Sequence, residues 1–68
     1  MDLKDMVDKA FESKTPKELL DAPISALEGI SDAGGKELER ILKVKTIGEL
    51  ADCKYIQWAQ EIKKLAAS

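Results

Sequence analysis

The chain has 68 residues, 44% hydrophobic and 35% charged, with 11 basic and 13 acidic side chains and a formal net charge of −2. A chain this short makes one domain, residues 1–68, and buries only about 60% of the surface its unfolded state exposes. The acidic balance disfavours a nucleic-acid binder, which usually shows net-basic charge or a clear basic face. No apolar run approaches the ~20 residues that cross a bilayer, and the charge-interrupted start "MDLKDMVDKAF" is unlike a secretory leader.

Leu3, Met6, Val7, Ala10 and Phe11 recur at helical spacing. They predict an amphipathic N-terminal helix over 1–13, with Asp2 as its N-cap and Asp5 adding negative charge to its first turn. "TPKELL" starts the next helix with Thr15 and Glu18 as a capping box and Pro16 at the first helical position. Pro23 ends it, because the residue before a proline is pushed out of helical geometry. "PISALE" then predicts a further brief helix closed by Gly29, and Ser31 or Asp32 caps a longer one running to about Lys43. A second capping box, Thr46 with Glu49, opens a short helix, and a last helix spans about Tyr55 to Ala66. No alternating strand pattern or hairpin dipeptide occurs, so the expected class is all-α, a bundle of five to six short helices. "PISALEGI" and "TIGELADC" also align, Ile24 matching Ile47, Leu27 matching Leu50 and Ile30 matching Cys53.

The stretch "SDAGGKELERILKV" places two glycines inside a helix, where each costs up to ~1 kcal/mol relative to alanine. On a wheel advancing 100° per residue, Gly34 and Gly35 share a side with Leu38, Ile41 and Leu42. The expectation is a packed face on which small residues let a neighbouring helix backbone approach closely. Lys36, Arg40 and Lys43 line the other side, with Lys45 beyond them. Glu37 and Glu39 flank this stripe, and Asp32–Lys36 and Glu39–Lys43 are expected i,i+4 pairs, so a solvated helix face is the simpler reading of these charges.

"LEGISDAGGKEL" resembles the helix-hairpin-helix motif h-x-G-h-G-x-x-x-A-x-x-h, with Leu27, Gly29, Ile30, Gly35 and Leu38 at matching positions. The continuation "LKVKTIGELA" is similar to the run that follows such hairpins. The resemblance covers 16–66 and implies a degenerate tandem helix-hairpin-helix unit, a SAM-like all-helical domain, to which the N-terminal helix is an addition. It also implies a phosphate-binding hairpin, carried here by the backbone of Gly29, Ile30 and Ser31 with Lys36, Arg40, Lys43 and Lys54 as cations. Two departures weigh against that use. Ser31 replaces the second hairpin glycine and Asp52 stands where a second turn would carry one, while Glu28 and Asp32 would repel a phosphate.

Catalysis is not expected. The chain has no histidine, no metal-ligand spacing and no nucleotide-binding loop, so no catalytic residue, metal or cofactor is assigned. Cys53 is the single cysteine and is expected to act as a small apolar residue. With no internal disulfide possible, a reducing cytoplasm is the expected location. The last helix carries Tyr55, Trp58, Ile62 and Leu65 as one apolar stripe. Trp58 is expected to anchor the core; exposed, it would be a candidate partner contact. Phe11 poses the same choice, since the first helix can close the small core or dock on another chain. The function expected is a non-catalytic interaction module binding a protein partner or itself. Nonspecific nucleic-acid backbone binding is the alternative.

Overall fold

The structure, a computed structural model describing residues 2–67, is all-α. Met1, at the start of the expected first helix, and Ser68 lie outside the described residues. Five α-helices follow one another: α1 (Leu3–Met6), α2 (Pro16–Leu19), α3 (Asp32–Leu42), α4 (Ile47–Ala51) and α5 (Lys54–Ala67). Two 3-10 turns, Lys9–Phe11 and Ile24–Ala26, complete the set. Among the described residues there is no strand, only two isolated antiparallel bridges, Val7 with Leu27 and Pro23 with Thr46.

Local chemistry accounts for the helix starts. The Thr15 hydroxyl accepts the Glu18 N–H while the Glu18 carboxylate accepts the Thr15 N–H at 2.9 Å. Thr46 and Glu49 repeat the arrangement at α4, and Glu49 also accepts the Lys45 N–H at 2.6 Å. Ser31, not Asp32, caps α3, its Oγ accepting the Gly34 N–H at 3.0 Å. Lys43 ends α3 in left-handed geometry (φ 58°, ψ 41°). Asp2 stands at the N-cap of α1, but its side chain makes no capping bond.

The helix expected over 1–13 is divided. Val7 is extended (φ −126°, ψ 157°) and pairs with Leu27, the Asp8 N–H donating to the Ala26 carbonyl at 2.8 Å and the Glu28 N–H to the Met6 carbonyl at 2.9 Å. These two bonds stitch the N-terminal segment to the middle of the chain, which a free amphipathic helix would not do. Leu3, Val7 and Phe11 still pack inward, with Val7 fully buried. The brief helix expected of "PISALE" is present as a 3-10 turn, which stops where Leu27 becomes extended in the same pairing.

That turn divides two small cores. Ala26 joins Val7, Leu19 and Ala22 in one, against which Leu3, Phe11 and Ile47 pack. Ile24 joins Val44 and Cys53 in the other, supported by Leu27, Ile30, Leu38, Leu42, Leu50 and Ile56. Ile24 and Ala26 have no exposed surface at all. The two matching octapeptides meet at their first residues, Pro23 and Thr46, and the Ile47 N–H donates to the Ala22 carbonyl at 3.0 Å. Ile30 and Cys53, their last residues, lie together in the second core, so Cys53 is the small buried apolar residue expected.

The fold is less compact than its length requires. Its radius of gyration is 12.9 Å and its longest axis 38 Å, against roughly 11 Å expected of a compact chain of this size. The longest helix, α5, spans 14 residues and has no buried residue.

Candidate interaction surface

Tyr55, Trp58, Ile62 and Leu65 follow one another along α5 and are 52, 56, 66 and 72% exposed. The expectation that Trp58 anchors the core is therefore corrected. Ile56, on a different side of the same helix, reaches the second core instead. The reason is geometric: a helix leaving the bundle at Lys54 has only its first turns near the core, so one early residue suffices to seat it. The Tyr55 and Trp58 rings meet edge to face with centroids 5.7 Å apart. The Lys54 ammonium lies 5.2 Å from the Tyr55 centroid and 5.6 Å from that of Trp58. An aromatic pair under a cation thus begins the stripe, and two aliphatic side chains continue it. Phe11, the other partner-contact candidate, is half-buried against the first core.

The hairpin residues are placed differently. Gly29 takes a left-handed conformation (φ 91°) at an open, exposed position. The Ile30 N–H donates to the Leu27 carbonyl at 3.1 Å, and its side chain packs in the second core. The Ser31 hydroxyl is engaged as the α3 cap. Lys36 and Arg40 are exposed on α3, where the ion pair is Arg40–Glu37 at 2.8 Å instead of the expected Asp32–Lys36 and Glu39–Lys43 pairs. Lys43 is exposed beyond the helix end, and Lys54 covers the aromatic pair on α5.

Gly35 is buried as expected, whereas Gly34 lies against Ser31 and Ile30 of its own cap, not against a neighbouring helix. Ile41, expected on the packed face, is 59% exposed. Val44 takes a core place that the helical pattern did not mark.

A groove of about 200 Å³ runs between the N-terminal segment and α2, lined by Leu3, Met6, Val7, Pro16, Leu19, Leu20, Leu27 and Ile47. All eight are apolar, so no polar group converges there to orient a substrate. Among the described residues no polar or charged side chain is buried, and no cluster of potential metal ligands forms. The clear electrostatic perturbation is at Glu18, whose pKa is lowered chiefly by the hydrogen bond from the Thr15 amide and then by that from the Thr15 hydroxyl. It is a structural carboxylate. No protein-family model, curated protein or solved structure matches the chain. No helix of the described residues is long and apolar enough to cross a membrane.

Proposed function

We propose that this protein is a non-catalytic interaction module that binds a protein partner through the exposed face of α5. The observation carrying this reading is that the longest helix has no buried residue yet presents two aromatic and two large aliphatic side chains in line. Scattered exposed apolar residues are ordinary, but a contiguous patch containing tryptophan and tyrosine is typical of a binding surface. The Lys54 ammonium above the rings adds a polar rim of the kind such surfaces carry.

The likeness of 16–66 to a degenerate helix-hairpin-helix unit is part of the proposal. Positive-φ Gly29 and the packing of Gly35 against Ser25 support it. Phosphate binding by that hairpin is the lesser reading, because the Ile30 amide and the Ser31 hydroxyl already have internal partners. The free, buried Cys53 fits a reducing, cytoplasmic setting.

The test immobilises the full chain and compares the wild type with Ile62→Asp, which places a charge in the middle of the exposed face. The wild type should retain a protein that the variant loses. Retention of the same proteins by both would overturn the reading. Tight, salt-sensitive retention of duplex or single-stranded DNA would favour the lesser one.

A further inference from the structure

We propose that residues 2–13 form a strap that opens as one unit while the rest of the chain stays folded, uncovering the apolar floor of the first core. The proposal is independent of the reading of α5. The strap is built from α1 and the 3-10 turn Lys9–Phe11, neither of which has a buried residue or a side-chain cap at its start. Helices this short have little stability of their own. Among the described residues, two hydrogen bonds tie the strap to the body, from the Asp8 N–H to the Ala26 carbonyl and from the Glu28 N–H to the Met6 carbonyl. The strap's buried side chain is Val7, 3% exposed, with Leu3 and Phe11 half-buried against the same core.

The body keeps its own framework without the strap. The side chains of the second core all come from residues 24–56. Both capping boxes and the Ser31 cap lie outside the strap. So do the bonds from the Ile47 and Gly48 amides to the Ala22 and Leu20 carbonyls, which hold α4 to the end of α2. The strap also rests over the groove of about 200 Å³, with Leu3, Met6 and Val7 on its side and Pro16, Leu19 and Leu20 on the body's. Side chains facing that gap lack the contacts of a filled core, so the groove is the seam along which the strap parts. Opening bares Leu19, Ala22 and Ala26 and frees the Ala26 carbonyl and the Glu28 amide; closing hides them again. The strap therefore sets whether the first core presents an apolar surface, and gating segments are drawn from such low-stability elements.

The experiment is amide hydrogen exchange, followed by NMR on the full chain in water and in low urea. The Asp8 and Glu28 amides should share one protection factor, at least about tenfold below that of the Ile47 and Gly48 amides. Urea should accelerate Ile47 and Gly48 more steeply, because their exchange exposes the whole core whereas strap opening exposes little surface. Val44→Ala weakens the second core, to which the strap contributes nothing. It should accelerate Ile47 and Gly48 about tenfold and leave Asp8 and Glu28 within about twofold of the wild type. Equal protection of all these amides with one urea slope would overturn the proposal, as would their equal acceleration by Val44→Ala. Asp8 and Glu28 differing from each other by more than about tenfold would overturn it too, because the segment would then fray and not open as a unit. The wild-type rates in water and urea decide the question by themselves where Val44→Ala does not fold.

Discussion

A methyl group added to Gly35 would stand 3.2 Å from the backbone nitrogen of Ser25 and 3.2 Å from its Cβ. Helix α3 thus lies directly on Ser25 of the 3-10 turn, between the wholly buried Ile24 and Ala26. Gly34, one residue earlier, would meet only the Ser31 hydroxyl at 3.3 Å and an Ile30 methyl at 3.8 Å, both side-chain atoms. Alanine at either site gains up to ~1 kcal/mol of helix propensity. At Gly35 the new methyl must push the half-buried Ser25 backbone aside by a few tenths of an ångström, an overpacking cost of about 1–3 kcal/mol. Urea denaturation should therefore find Gly35→Ala destabilised by about 1 kcal/mol and Gly34→Ala neutral or slightly stabilised. Equal effects at both sites would contradict the packing described.

Gly48 is held more tightly still. Its N–H donates to the Leu20 carbonyl at 2.9 Å, and an added Cβ would lie 3.0 Å from that same oxygen. Gly48→Ala should strain this contact between α4 and the end of α2 and cost about 1–3 kcal/mol, read as a lower urea midpoint with an unchanged slope.

The Glu18 carboxylate gives the fold a small acid sensitivity with a definite sign. Its pKa in the folded chain is below the ordinary value chiefly because the charged form accepts the Thr15 amide hydrogen bond, with a further lowering from the Thr15 side chain beside it. A lowered folded pKa means a contribution present above the unfolded pKa and lost as pH falls through the folded one. Glu18→Gln retains an acceptor without the charge, so stability measured from neutral to acidic pH should fall less steeply in this variant. An unchanged acid limb would show that the capping box contributes nothing to it.

The helix starts are legible in the sequence because their signals are local. A threonine hydroxyl and a glutamate three residues later need only one turn of backbone to meet, and both Thr15–Glu18 and Thr46–Glu49 do so. Gly35 is legible for a related reason, since helical periodicity alone puts it beside Leu38 and Leu42. Val7 is different. Its spacing from Leu3 and Phe11 fits a helix face, but its backbone partner, Leu27, is twenty residues away, and no local pattern announces that pairing. The stripe on α5 misleads in another way. Periodicity shows which residues share a face without showing what that face meets, and here the core is already filled by Ile24, Val44, Cys53 and Ile56. Gly48 carries no signal of its own, because the Leu20 carbonyl that excludes a side chain comes from a distant part of the chain.

The exposure of the α5 face, which stands outside the core, is the observation on which the proposed contact rests. It is tested most directly by the unfolding free energy of Trp58→Ser, followed by circular dichroism in urea at low micromolar concentration. With Trp58 56% exposed, the variant should lie within about 0.5 kcal/mol of the wild type, as substitutions away from the core do. A loss of about 3–5 kcal/mol, the cost of removing a buried aromatic side chain, would place Trp58 in the core and contradict the account.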